Sequence, residues 1–100
     1  MSETQKQANR RTQYRTPVPR LYNVVIHNDD FTTMDFVVML LMRIFHKSYD
    51  VAETLMLKVH HEGSAVAGTY QQDIARSKQQ YAMDLARQNG FPLKLTVEEA

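Results

Sequence analysis

The sequence predicts the α+β class: a small two-layer sandwich in which three helices pack on a short antiparallel sheet. Three observations predict this fold. Stretches rich in β-branched or alternating residues are separated by stretches with helical periodicity, capping and glycine signals stand at the boundaries, and no segment repeats. The predicted order is β-α-α-β-α-β.

The first strand and first helix meet at a polar corner. A strand is predicted over residues 21–27, and Asn28-Asp29-Asp30 ends it because Asx side chains bond nearby backbone and accept turn geometry. Thr32, with Asp35 three residues on, has the spacing of a capping box, so a helix is predicted over 33–47. Its apolar residues surround nearly the whole circumference of the helix, so we expect one apolar face not to be buried in the core of the domain.

The later elements have clearer boundaries. Asp50 and Glu53 form a capping box that predicts a second helix over 51–62, and Gly63 ends it as a left-handed terminator. The remaining elements are a strand over 64–70, a third helix over 72–88 and a last strand over 93–97.

Charge divides the chain into two parts. Residues 1–20 carry a net charge of +4 and lack periodicity, so they are predicted to form a disordered, flexible basic arm; residues 21–100 carry −3 and are predicted to form the folded domain. The arm would suit an acidic partner. Nucleic acid is not expected as that partner, because the folded part repels phosphate overall.

Composition excludes several classes of protein. The chain has no cysteine, hence no disulfide, thiolate metal site or cysteine nucleophile, and this fits a reducing, cytoplasmic setting. The longest apolar run, 36–42, is too short to span a membrane, and the polar N-terminus does not resemble a signal peptide. Adjacent His60 and His61 point about 100° apart on a helix, so no metal site is expected. No catalytic pair is visible, and we expect neither an enzyme nor a cofactor.

The polar corner is the candidate site. Asn28 and Asp29 offer acceptors there, and a ligand with a cationic head and an apolar body would suit acceptors beside apolar helix residues. Helical spacing places Met34, Val37 and Leu41 on one face of the first helix, and Met56, Val59 and His60 on one face of the second. From spacing alone, an ordinary turn with methionines in the core is favoured over a binding site.

Two blocks of sequence resemble the ClpS family, adaptors that hand N-degron substrates to a AAA+ Clp protease. They are Asn28–Val37 and Leu55–His60, and the resemblance runs from about Leu21 to the end of the chain. It implies recognition of proteins whose first residue is Phe, Tyr, Trp or Leu with a free α-amine, and a partner in the N-terminal domain of a Clp unfoldase.

The resemblance also implies roles for individual residues. By position, Asn28, Asp29 and His60 correspond to the ligands of the α-amine. The positions that correspond to the side-chain pocket are Thr32, Met34, Val37, Met56, Val59 and Leu93. Met34 matches the position that rejects β-branched first residues.

Docking on the unfoldase is implied for the start of the third helix. Asp73 and Lys78 fall there, although the family position of Asp73 usually holds Glu, and the arm matches the segment that delivery requires. Thr33 stands where the motif usually has Pro.

Two other classes of function stay open: a domain that self-associates through its first helix, and a nucleic-acid module built on the basic arm.

Overall fold

The computed structural model describes residues 19–100; residues 1–18, which make up most of the predicted arm, lie outside the described residues. The α+β class and the order β-α-α-β-α-β are confirmed. The elements are β1 (Leu21–His27), α1 (Met34–Arg43), α2 (Tyr49–Glu62), β2 (Ser64–Gln71), α3 (Gln72–Gln88) and β3 (Lys94–Glu99). Within residues 19–100, no helix has the length and apolar character needed to cross a membrane.

The sheet has three antiparallel strands in the order β2-β1-β3, so β1 is central. Its Val24, Val25 and Ile26 are all buried, which explains why a continuous β-branched run occupies this position. The polar corner, which follows β1 in the chain, therefore lies at the end of the central strand of the sheet. The backbone N–H of Asn28 donates to the carbonyl of Gly63 at 2.8 Å, which fastens the corner to the end of α2.

The helices enclose one core against the sheet. α3 packs on all three strands, whereas α2 packs on β2 and on α1. Leu40 and Leu41 of α1 are completely buried against this core. Ala75, Ala82 and Ala86 are buried completely on one face of α3, where a small side chain allows close approach of the helix to the sheet.

The ends of α1 differ from the prediction. Thr33, not Thr32, caps the helix, because the N–H of Phe36 donates to Thr33 Oγ1 at 3.2 Å. The hydroxyl of Thr32 instead donates to Asp29, as described below. The helix ends at Arg43 and not at residue 47; Ile44 is the C-cap, and His46 then takes a left-handed conformation with φ of 57° that turns the chain away.

The start of α2 differs in the same way. Ser48 is the N-cap, since the N–H of Val51 donates to Ser48 Oγ at 3.3 Å. Asp50 therefore lies inside the first turn, where its charge still favours the helix N-terminus. The predicted end is confirmed: Gly63 closes α2 in a left-handed conformation with φ of 93°.

Candidate functional site

The polar corner is held in shape by the carboxylate of Asp29. Its Oδ1 accepts the backbone N–H of Phe31 at 2.8 Å and that of Thr32 at 2.7 Å, and its Oδ2 accepts the Thr32 hydroxyl at 2.7 Å. An Asx residue that bonds backbone two and three residues on forms a compact turn. The shape of the corner is thus determined by hydrogen bonds to one of its own side chains.

These hydrogen bonds also determine the charge of the corner. Burial raises the pKa of Asp29, but the backbone and hydroxyl bonds from Thr32, the N–H of Phe31 and the positive charge of Arg87 together outweigh it. The pKa of Asp29 therefore lies below its ordinary value of 3.8, and the carboxylate is ionised at neutral pH. A carboxylate has about four acceptor positions. The three bonds within the corner leave capacity for one more donor.

α2 supplies the opposite wall of the site. Met56, Val59 and His60 lie at helical spacing on one face, and Val59 is buried in the core while His60 is exposed. The bond from Asn28 to Gly63 holds the end of this helix against the corner. An imidazole in its neutral form offers one ring nitrogen as an acceptor, so His60 adds a third kind of acceptor to those of Asn28 and Asp29.

The corner and the two helices enclose a cavity of about 400 Å³, here called the amine cavity after the ligand group that the family resemblance implies. Its lining comprises Asn28, Asp29, Asp30, Phe31, Thr32, Thr33, Met34, Val37, Met56, Val59 and His60. All the residues predicted for substrate binding lie here except Leu93. Leu93 is only 1% exposed and packs in the core just before β3, and it is not among the side chains that line the cavity.

Phe31 lines the cavity but was not among the predicted site residues. Phe31 is 75% exposed, so most of its surface is open to solvent beside the cavity. Its place inside the motif block was the signal that could have identified it. Within the described part of the chain, no group of three or more His, Asp or Glu side chains is placed so that it could hold a metal ion.

The predicted docking residues Asp73 and Lys78 lie on α3, and they make separate contacts. Asp73 is exposed, and its carboxylate accepts the N–H of the adjacent Ile74 at 2.9 Å. Lys78 is half-buried, and its ammonium group donates to the carbonyl of Ile44 at 2.7 Å and lies 5.1 Å from the ring centroid of Tyr70. Lys78 therefore has a structural role at the end of α1.

The fold and the cavity define a class: small α+β domains with a preformed cavity that combines apolar side chains with polar acceptors. The family model described as "ATP-dependent Clp protease adaptor protein ClpS" matches residues 17–96. This chain belongs to the ClpS family. The description is of an adaptor of a protease, not of a protease.

Relatives of known name agree with this assignment. An ATP-dependent Clp protease adapter protein ClpS of Campylobacter jejuni is 51% identical over 81 residues, covering 81% of this chain and 84% of the relative. A ClpS of Leptothrix cholodnii is 49% identical over 86 residues, covering 86% of this chain and 75% of the relative. The solved structure of Agrobacterium tumefaciens ClpS2 bound to L-phenylalaninamide is 40% identical, with a TM-score of 0.80, and covers 83% of this chain and 100% of that one.

Proposed function

We propose that this protein binds proteins with a bulky hydrophobic first residue (Phe, Tyr, Trp or Leu) through their free α-amine and delivers them to a Clp AAA+ unfoldase. One observation carries the proposal. The acceptors Asn28, Asp29 and His60 lie around the same cavity of about 400 Å³ as the apolar side chains of both helices. A first residue has the matching form, because its Cα atom carries both a cationic ammonium group and a large side chain.

The rim suits an ammonium group for electrostatic reasons. A desolvated cation left unpaired costs several kcal/mol, so a site for it needs several acceptors at once. Asp29 supplies a full negative charge, because its pKa lies below 3.8, and it has acceptor capacity beyond the corner's own bonds. Asn28 and the neutral form of His60 supply uncharged acceptors, which together with Asp29 match the three donors of an α-ammonium group.

The body of the cavity suits a flat or flexible apolar side chain. Val37 and Val59 are nearly buried and form its base, whereas Met34 is 44% exposed and stands at its opening. A thioether chain adapts to aromatic rings and to leucine. At the opening, the same chain would meet the second branch of a valine or isoleucine, so Met34 is the residue that we assign to rejection of β-branched first residues.

The related structures support the ligand class. L-phenylalaninamide, the molecule bound to Agrobacterium tumefaciens ClpS2, has a free α-amine next to a benzyl side chain. The family description and the relatives' names support a Clp protease as the destination of the substrate. Within that role we propose Asp73 and Lys78 as contacts of the unfoldase N-terminal domain, segment 1–20 as the part that the unfoldase engages, and the cytoplasm as the location.

A matched pair of peptides tests the amine site. A fluorescent peptide that begins with Phe should bind, and the same peptide with an acetylated N-terminus should bind at least about 100-fold more weakly, because acetylation removes the charge and its donors. Fluorescence anisotropy measures both affinities. A peptide that begins with Gly and has a free amine is the control for the side-chain cavity. Equal affinity of the free and acetylated Phe peptides would refute the proposal.

A further inference from the structure

A second cavity lies beside the amine cavity, and the capture of an amine does not use it. It has a volume of about 350 Å³, lies between α1 and α2, and is here called the side groove. Its lining comprises Asp35, Val38, Met39, Met42, Arg43, Tyr49, Glu53 and Met56. Met56 also lines the amine cavity, so the two spaces share a wall.

The side groove accounts for the apolar circumference of α1. One side of this helix is buried in the core through Phe36, Leu40 and Leu41. Val38 and Met39 are only half-buried on the other side, and Met42 is 38% exposed. A helix that keeps apolar residues on a face its own domain leaves open presents that face to something outside the domain.

We propose that the side groove binds an apolar side chain at the second or third position of the same substrate whose first residue occupies the amine cavity. This inference rests on the proposed function. An extended chain advances about 3.3–3.6 Å per residue. Because Met56 lines both spaces, a substrate that leaves the amine cavity across Met56 passes the side groove with its next one or two residues.

The side chains of the groove suit a ligand that varies. Three methionines (Met39, Met42 and Met56) supply flexible, polarizable walls, and such walls are common on surfaces that accept many apolar shapes. Tyr49 supplies an aromatic edge, and its hydroxyl donates to Glu53 at 2.9 Å, which holds both side chains on α2. Substrates that share a first residue still differ at their second and third residues, so an adaptable surface suits the side groove.

The size of the groove favours a side chain over a second copy of the protein. A volume of about 350 Å³ holds one or two side chains. A stable dimer buries about 800 Å² of each partner, which needs a much larger continuous apolar face. Charged Asp35, Arg43 and Glu53 border the groove and limit its apolar extent.

Peptide pairs that differ only after the first residue test this inference. We compare free-amine peptides Phe-Leu-Gln, Phe-Gln-Leu and Phe-Gln-Gln, each followed by the same polar sequence, by fluorescence anisotropy with the full chain. Leucine at position two or three, whichever the groove binds, should tighten binding about fivefold relative to Phe-Gln-Gln. The reason is that burial in a half-open groove recovers part of the transfer free energy of the leucine side chain. The Met39→Gln, Met42→Gln double variant should abolish that preference and still bind Phe-Gln-Gln as the wild type does, which also shows that it is folded.

Leu57→Gln is the matched control variant. Leu57 is 41% exposed on α2 and lines neither cavity, so this variant should keep the leucine preference. Equal wild-type affinity for all three peptides would overturn the inference and leave amine capture intact, as would a preference that persists in the double variant. Failure of every free-amine peptide to bind would refute amine capture, and this inference with it.

The other possible occupants of the groove give distinct results. Analytical ultracentrifugation would show a concentration-dependent dimer, lost in the double variant, if a second copy covers the groove. Binding of the isolated unfoldase N-terminal domain would be lost in the double variant if the unfoldase covers it. Either result without a leucine preference overturns the inference.

Discussion

The amine cavity and the first turns of α3 hold the two sets of residues that the family resemblance singles out, and they differ in how their polar atoms are used. In the cavity, acceptors from the corner and from α2 converge on one space. On α3, the ammonium group of Lys78 bonds the carbonyl of Ile44 at 2.7 Å, and Asp73 bonds the backbone next to it. The cavity residues therefore share one open space, whereas the polar atoms of Asp73 and Lys78 are bonded to backbone groups of the protein itself.

Asp29 and Lys78 each combine a structural role with a proposed binding role. Asp29 holds the corner together and faces the amine cavity. Lys78 holds the end of α1 and is proposed to contact the unfoldase. Loss of function after an alanine substitution at either position would therefore be ambiguous, and variants that separate the two roles are needed.

The largest expected effect separates the roles of Asp29. Asp29→Asn removes the charge but keeps an oxygen for the N–H groups of Phe31 and Thr32, whereas Asp29→Ala removes both. Both variants should weaken binding of a Phe-led peptide about 100-fold, and Asp29→Ala should lower the free energy of unfolding by about 1–2 kcal/mol more than Asp29→Asn does. Asp30→Ala is the control and should change affinity less than about threefold. A larger loss in Asp30→Ala than in Asp29→Ala would assign the amine contact to Asp30.

The pH dependence of stability checks the charge of Asp29 independently. Its pKa in the folded protein lies below 3.8, so the stability that the carboxylate contributes is present above the unfolded value and is lost as pH falls through the folded value. The difference in unfolding free energy between wild type and Asp29→Asn should be constant above about pH 5 and shrink below pH 3.8. Urea unfolding from pH 2 to 7 measures it, and a difference that does not change with pH would contradict the assignment.

The next effect concerns selectivity for the first residue. Met34→Ala should open the cavity mouth, so the ratio of affinities for Phe-led and Val-led peptides should fall about tenfold, mainly because Val-led peptides bind better. Competition titrations with short peptides measure this ratio. Leu57→Ala truncates a similarly exposed side chain outside the cavity and should leave the ratio unchanged. A Met34→Ala variant that still rejects both valine and isoleucine would show that Met34 is not the filter.

Local patterns predict much of this molecule. The class, the element order and the end of α2 at Gly63 follow from periodicity and backbone chemistry, which are local properties. The helix starts were misplaced where two capping residues compete at close spacing, as Thr32 and Thr33 do. Which of them caps depends on the carboxylate of Asp29, which takes the Thr32 hydroxyl away from the helix.

Contacts between distant parts of the chain could not be predicted from the sequence. The bond from Lys78 to Ile44 joins residues 34 apart, and no local pattern records it. Leu93 was assigned to the cavity by resemblance alone, but its burial depends on how β3 packs under the helices. The apolar circumference of α1 predicted an unexplained face, whereas its position as a groove that shares Met56 with the amine cavity needed the structure.

A smaller effect separates the two roles of Lys78. Lys78→Met keeps most of the apolar stem but removes the donor to the Ile44 carbonyl, so the free energy of unfolding should fall by about 1 kcal/mol. Asp73→Ala removes an exposed carboxylate and should change stability by less than about 0.5 kcal/mol. Urea unfolding, run beside binding of the unfoldase N-terminal domain, distinguishes lost docking from a loosened α1. Equal stability of Lys78→Met and wild type would show that the bond contributes nothing.

The smallest effect concerns Thr33, where the family motif usually has proline. Thr33 has φ of −72°, which proline adopts without strain, and its hydroxyl caps α1 through the N–H of Phe36. Thr33→Ala loses the cap alone and should cost about 1 kcal/mol of unfolding free energy. Thr33→Pro loses the same cap but restricts the unfolded chain, a gain of about 0.4–1 kcal/mol, so it should remain within about 0.5 kcal/mol of wild type. If urea unfolding shows the two variants equally destabilised, proline offers no backbone advantage at this corner, and threonine is then the better residue for it because it bonds the helix directly.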